Sequence, residues 1–371
     1  MTEHLSAIIL AAGFSGRMGR FKPLLPLGPT TIVERVVMLY RSAGIEDICV
    51  VTGHKAEALD TVLQSLGVRC IVNPAYAKGM FSSLRTGLSA LPNDCRGFFV
   101  HPVDIAFVRR STIIALMTSF HDHGQSVIHP AFDGLRGHPP LVPAALAPAI
   151  FQWPGPDGLR GFWAGHKVSS IEILVADQSI LVDLDTEEEY QKTVSNLAQK
   201  DLPSPEECRA LMTQVVGVPE PVWFHCQATA NVADALAAAV NKAGGSLELN
   251  LIRCAALVHD IGKMEKHHAQ AGANLLEQLD YPRIAAVVRV HMDIETTPEA
   301  PLDEAQIVYL ADKLLEGSHP AGLDERLARK LAKYGTDEAA RQAIQRRFQM
   351  ARWIYEKVER MTGRKVQTIL S

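Results

Sequence analysis

The chain has 371 residues, 47% of them hydrophobic and 21% charged, with a formal net charge of −4. This length and apolar content suit two globular domains with cores of their own, and exclude a disordered chain or a disulfide-dependent mini-protein. The slight negative charge excludes a global basic field for nucleic acid or an anionic membrane surface, so an anionic substrate needs local positive groups.

In chain order, Ala7–Ala11 is predicted as a short apolar strand, and residues 32–43 as an amphipathic helix ended by Gly44. A strand over 48–52, a helix over 55–66, a strand at Arg69–Val72, a helix over 82–91 and a buried strand over 97–101 come next. Short apolar strands alternating with helices imply βαβ units, hence a mainly parallel α/β sheet with helices on both faces. From Thr186 the strand-like runs stop. Residues 187–199 form a polar helical stretch, and Pro203, Pro205, Pro219 and Pro221 punctuate the segment after it. After Pro221 helical periodicity dominates, with helices predicted over 229–243, 250–259, 268–279, 284–291, 302–315, 323–334 and 337–360. The expected organisation is an α/β domain over 1–198 and an all-α domain over 199–371, with the boundary near Lys200.

The N-terminal stretch has an acidic residue and a histidine before a short apolar run, a poor secretory leader and too short to span a bilayer. The six cysteines form no CxxC pair and are expected as reduced core thiols. Both features point to a cytoplasmic protein.

After the first strand comes Gly13-Phe14-Ser15-Gly16-Arg17-Met18-Gly19, then Lys22. Glycines let backbone N–H groups approach a phosphate, and Arg17 and Lys22 supply charge for a triphosphate. This is an anion cradle at the carboxyl end of a strand, where open α/β sheets bind ligands. Its spacing is neither that of the Walker loop nor that of the GxGxxG fingerprint.

The run LAAGFSGRMGRFKPLLPL (Leu10–Leu27) resembles the signature of the MobA-like nucleotidyltransferases, in its molybdenum cofactor cytidylyltransferase branch. The resemblance implies that Leu10, Ala11, Ala12, Gly13, Ser15, Gly16, Arg17, Lys22 and Ser82 bind the nucleotide. It implies that Asp104 holds Mg²⁺ against the triphosphate, with Asp185 as a second metal carboxylate, and makes Arg17, Lys22 and Asp104 catalytic. Carboxylate and phosphate oxygens together suit a hard dication. Ala11-Ala12-Gly13 resembles the form that uses CTP rather than GTP. Further segments match in order: Asn73-Pro74, Gly79–Ser83, Arg136–Pro139, Gly155–Arg160 and Asp183–Thr186. Two positions depart from the pattern. Ile105-Ala106 follows Asp104 where the family has Gln-Pro, and Pro156 stands where Asp is usual. His138 suits a structural role as well as a substrate contact. The implied acceptor is molybdopterin or its molybdenum-loaded form, with molybdoenzyme maturation chaperones as partners. A sugar phosphate or choline phosphate acceptor is the alternative.

The second half carries His225, His259-Asp260, His267-His268, His291 and Asp312, ligand types that borderline divalent metals accept. Val258-His259-Asp260-Ile261-Gly262-Lys263 resembles the HDIG form of the HD superfamily of metal-dependent phosphohydrolases. His225, His259, Asp260 and Asp312 match its H…HD…D order. His268 and His291 match the extra histidines of two-metal members, while His267 is expected to face solvent. The resemblance covers roughly residues 203–317, the remaining helices being an extension. It implies Mn²⁺ or Fe²⁺, in one or two ions, with Asp260 catalytic; metal coordination lowers the pKa of water and offsets phosphate charge. Lys263 suits a substrate phosphate or a solvated helix end. The alternative for this half is a metal- or nucleotide-binding regulatory module.

Overall fold

The computed structural model describes residues 4–14, 16, 18–195, 197, 201–333 and 337–371. The chain divides into two compact units, Met1–Lys200 and Asp201–Ser371.

The first unit is built on an eight-stranded sheet. From one edge its strands run Ser170–Leu174, Val127–Phe132, Leu141–Pro143, Gly97–Pro102, Leu5–Leu10, Asp47–Thr52 and Arg69–Val72, with Leu135–Arg136 paired to Val127–Phe132. Leu5–Leu10 pairs in parallel with Asp47–Thr52 on one side and Gly97–Pro102 on the other. Within this sheet, among the described residues, only Leu135–Arg136 and Leu141–Pro143 run against the other strands. Leu5–Leu10 is buried throughout, as a central parallel strand requires. Its two sides meet different helices. Ile8, Phe98 and Val100 face a cluster with Leu84 and Leu88 of helix Met80–Leu88. Phe99 instead meets Tyr40 of helix Ile32–Ser42, with ring centroids 5.3 Å apart. Gly87 lets Met80–Leu88 sit close on the sheet, because a Cβ there would come within 2.5 Å of Ile8. Helix Ile32–Ser42 starts on a capping box: Glu34 Oε2 accepts the Thr31 N–H at 2.6 Å, and Thr31 Oγ1 accepts the Glu34 N–H at 3.4 Å.

The second unit is helical. Glu220–Lys242 packs against Leu249–Val258 and Glu304–Lys313, and His268–Gln278 packs on Pro282–Val290. Helix Glu220–Lys242 begins nine positions before the expected start at Thr229. The prolines expected as punctuation initiate it instead: Pro221 lies in the first turn, where a missing N–H costs nothing. His225 therefore sits on a helix rather than in a linker. A small hairpin, Leu315–Glu316 with His319–Pro320, interrupts the expected run of helices. Helices Leu323–Lys333 and Glu338–Thr362 complete the unit's long elements.

All six cysteines are free. Cys49, Cys208, Cys226 and Cys254 are buried, Cys95 is half-buried, and Cys70 is exposed because it stands on the edge strand Arg69–Val72. No helix among the described residues is long and apolar enough to cross a membrane.

Candidate functional sites

In the first unit, the glycine-rich loop and Asp104 leave neighbouring parallel strands at the same end, where Leu10 pairs with Pro102. Backbone bonds fix the start of the loop: Ala11 N–H donates to Val51 O at 2.8 Å and His54 N–H to Ala12 O at 3.2 Å. Leu10, Ala11 and Ala12 are buried, whereas an added Cβ at Gly13 or Gly16 would meet nothing within 4 Å. The loop thus presents open backbone at the sheet's end. Ser15 and Arg17 lie outside the described residues.

Lys22 opens a short 3-10 turn, and its side chain is 9% exposed. Its Nζ lies 2.6 Å from Asp185 Oδ1 and 3.4 Å from Asp104 Oδ2. Leu184 N–H donates to Asp104 O at 3.0 Å, which ties the two carboxylate-bearing segments together. Burial raises the Asp104 carboxyl pKa despite the opposing charge of Lys22. The loop carrying Asp104 is held from beneath. His101 Nε2 lies 2.9 Å from Ile105 O, and its Nδ1 lies 2.8 Å from the Tyr40 hydroxyl. Burial lowers the His101 pKa to about 4, so the ring is neutral at neutral pH. This clamp went unread in the sequence.

Other expected contacts are used within the fold. The Ser82 hydroxyl donates toward Gly79 O at 2.8 Å and Ala75 O at 3.0 Å, and accepts from Asn73 Nδ2 at 2.9 Å. It holds the Asn73–Ser83 loop. Arg136 pairs with Glu172 at 2.6 Å on an exposed face. Burial lowers the His138 pKa even though Asp104 and Asp183 lie nearby. Gly155 and Gly158 approach the ring of Phe81, which brings the Gly155–Arg160 and Gly79–Ser83 segments together.

In the second unit, all of the expected ligand residues converge. His225 comes from helix Glu220–Lys242 and Asp312 from Glu304–Lys313. His259 and Asp260 follow the end of Leu249–Val258, His291 follows Pro282–Val290, and His268 opens the helix His268–Gln278. Asp260 is the hub. Its Oδ2 lies 3.7 Å from His259 Nε2 and 4.0 Å from His225 Nε2. Its Oδ1 lies 3.5 Å from both His268 Nε2 and His291 Nε2. Two ligand groups share this carboxylate, His225–His259–Asp260 and Asp260–His268–His291, each with its ligand atoms within 4.8 Å of one another. Asp312 Oδ1 lies 3.1 Å from His225 Nε2. His267 is exposed.

Gly262 makes this possible. A Cβ there would fall on the carbonyl oxygen of His268 and within 2.6 Å of Gly272 N. Glycine lets the turn after Asp260 press against the next helix and bring His268 to the carboxylate.

The donor set fits divalent metal. His225, His259 and His291 direct Nδ1 to backbone carbonyls of Gly317, Ala256 and Val288 at 2.7, 2.8 and 2.6 Å. At His259 and His291 such bonds place the proton on Nδ1 and leave the Nε2 lone pair for a ligand; at His225 burial opposes the charged form, but the Asp312 carboxylate 3.1 Å from Nε2 outweighs it and raises the pKa. The Nε2 atoms of His268 and His291 are buried and make no hydrogen bond. A buried nitrogen without a partner is costly, and a cation removes that cost. Burial lowers the His259 pKa to about 4, keeping it in the neutral ligand form. Burial works to raise Asp260, but the imidazoles of His259 and His291 and the Lys263 ammonium hold it well below the usual carboxylate range. Burial likewise opposes ionisation of Asp312, and Lys313, His225 and Arg326 outweigh it.

Cations surround the ligands. Lys263 Nζ lies 2.9 Å from Asp260 Oδ2, and Lys313 Nζ 2.6 Å from Asp312 Oδ2. Arg326 donates to Asp312 O and lies 3.7 Å from its Oδ1. A cavity of about 540 Å³ opens beside Asp260, His291 and Asp312. Lys313 and Arg326 were missed in the sequence; adjacency to Asp312 was the one available signal for Lys313, and Arg326 gave none.

A known domain family matches each unit. Residues 7–170 match the MobA-like NTP transferase domain and residues 222–317 the HD domain. The molybdenum cofactor cytidylyltransferase of Escherichia coli is 27% identical over 187 residues, covering 50% of this chain and 93% of that protein. The molybdenum cofactor guanylyltransferase of Rhizobium meliloti is 30% identical over 173 residues, covering 45% and 77%. The bifunctional IPC transferase and DIPP synthase of Rubrobacter xylanophilus is 38% identical over 96 residues, which span 24% of this chain but only 22% of that relative. The chain therefore belongs to the MobA-like NTP transferases, as a nucleotidyltransferase that carries an HD domain, a metal-dependent type, in its helical unit.

Proposed function

We propose that the first unit transfers a cytidylyl group from CTP to a phosphate-bearing acceptor of the molybdopterin type. The reading rests on Lys22 held between Asp104 and Asp185 at the mouth of the glycine-rich loop. An acceptor phosphate oxygen forms the new bond to the α-phosphorus, the bond to the β-phosphate bridge breaks, and pyrophosphate leaves. Lys22, with Arg17 assigned from the sequence, balances the charge that grows on the leaving group, while loop N–H groups orient the triphosphate. Mg²⁺ on Asp104 and Asp185 would supply charge neutralisation between carboxylate and phosphate. The choice of CTP draws on Ala11-Ala12-Gly13 and on likeness to the Escherichia coli cytidylyltransferase. A transfer assay with molybdopterin, or its molybdenum form, and CTP or GTP tests this. CTP is expected to be used and Asp104→Ala to abolish transfer. Equal use of ATP without a pterin product would defeat it. The acceptor reading carries with it molybdoenzyme maturation chaperones as partners.

We propose that the second unit hydrolyses a phosphate ester. The observation behind this is the Asp260 carboxylate, each oxygen of which faces its own histidine pair. Mn²⁺ or Fe²⁺ in one or both ligand groups would supply Lewis acidity and an activated water. The protein's part is to fix the imidazoles through their Nδ1 bonds and to line the approach with Lys263 and Lys313. Phosphate release from p-nitrophenyl phosphate by the full chain, with Mn²⁺ and with chelator, tests it. Release that survives chelation or Asp260→Ala would refute it.

A further inference from the structure

The HD domain match ends at Gly317, yet the cavity beside the ligands does not. Arg326 and Lys330 reach it from helix Leu323–Lys333, and Ala343, Ile344 and Phe348 from helix Glu338–Thr362. These helices are built into the unit. Tyr309 hydroxyl donates to Arg347 O at 2.9 Å, and Arg347 grips Asp293 through Nε and a terminal nitrogen at 2.6 and 2.7 Å. Arg352 pairs with Asp324, which joins the two helices to each other. The added wall has two chemistries. Arg326 is tied to Asp312, whose carboxylate lies 3.1 Å from His225 Nε2, and Lys330 on the next helical turn enters no ion pair among the described residues. Ala343, Ile344 and Phe348 add apolar lining to the same cavity. A volume of about 540 Å³ lies in the range of small-molecule sites and far exceeds the needs of a bare phosphate ion.

We infer that helices Leu323–Lys333 and Glu338–Thr362 form the substrate wall of the second unit, selecting a mononucleotide-sized organic phosphate whose phosphate enters along Lys330 and whose apolar body lies on Ala343, Ile344 and Phe348. This deepens the hydrolase reading above and rests on it. The reaction is balanced by water alone: a water oxygen bonds to phosphorus, the ester P–O bond breaks, and the organic group leaves as the alcohol, taking the proton that water gives up. Recognition of the organic body belongs to the extension, and recognition of the phosphate dianion is shared between Lys330 and the metal centre.

The test uses the full chain, with 5′-CMP as the nucleotide-sized probe and inorganic phosphate as the small one. Ala343→Trp fills the cavity without removing a ligand, and Lys330→Glu reverses the edge charge. Ala343→Trp is expected to raise KM for CMP on the order of tenfold or more, in line with a lost apolar pocket, while inhibition by inorganic phosphate stays within about twofold. Lys330→Glu is expected to weaken both CMP and inorganic phosphate. Bound Mn²⁺, counted by elemental analysis, should match the parent in both variants. CMP hydrolysis by Ala343→Trp at the parent's KM would overturn the inference. So would an equal loss of phosphate inhibition in Ala343→Trp, because the wall would then act on the metal centre and not on the organic body. A parent chain that binds no Mn²⁺ and cleaves no p-nitrophenyl phosphate would instead overturn the hydrolase reading itself.

Discussion

The two candidate sites bring charged side chains together in opposite ways. In the first unit the groups come from loops at the end of a sheet, and a lysine sits between the two carboxylates. The loop offers open backbone at Gly13 and Gly16. In the helical unit the ligands come from packed helix ends, the tautomers of His259 and His291 are set by backbone carbonyls, and buried nitrogens already face one carboxylate. A loop site tolerates change in its surroundings but depends on each charge. A helical site depends on the packing that brings its ligands together.

The sharpest way to break this contrast is Asp260→Ala. Because both ligand groups share that carboxylate, bound metal should fall to background and phosphate release should drop on the order of a hundredfold or more, while nucleotidyl transfer is unchanged. His225→Ala and His268→Ala should each lower metal content by one group only. Lys22→Ala makes the converse change. Transfer should fall on the order of a hundred- to a thousandfold, the scale of one lost charge-stabilising donor, with hydrolysis intact. Cross-effects in either variant, measured by the two assays on one preparation, would show that the sites are not independent.

Packing dependence predicts smaller effects. Gly262→Ala drives a Cβ onto the His268 carbonyl, and overpacking of this kind costs about 1–3 kcal/mol. Denaturant unfolding should register that loss together with weaker metal binding, although no ligand is touched. Chelation should lower the unfolding midpoint of the full chain, since a metal present at about 100 times its Kd adds about 2.7 kcal/mol. Tyr40→Phe removes one partner from buried His101 and should cost about 1–3 kcal/mol. It should raise the Mg²⁺ requirement of transfer more than it lowers kcat, because His101 holds the loop that carries Asp104.

Strong local signals were legible in the sequence. The strands over Leu5–Leu10, Asp47–Thr52 and Arg69–Val72 were readable from short apolar runs between turn residues. The histidines and aspartates that converge in the helical unit were readable because they came in a recognisable order around His259-Asp260. The prolines before His225 were misread, since a proline ends a helix or opens one depending on which side the helix lies. Strands Val127–Phe132, Leu141–Pro143 and Ser170–Leu174 were not assigned: His129 and Pro130 break the first apolar run, the second is three residues long, and the third carries Ser170 and Glu172 and is half-exposed.

The sequence by itself determined the kinds of group and their order: a glycine loop with basic residues, then a histidine–aspartate series. Those are local facts, set by side-chain chemistry and short-range backbone preference. Tertiary structure alone decided that Asp260 divides its oxygens between two histidine pairs, that Ser82 serves its own loop, and that helices beyond the HD match wall the cavity. The first and third depend on distances between segments far apart in the chain, which packing sets, and the second on how the loop from Asn73 to Ser83 closes on itself.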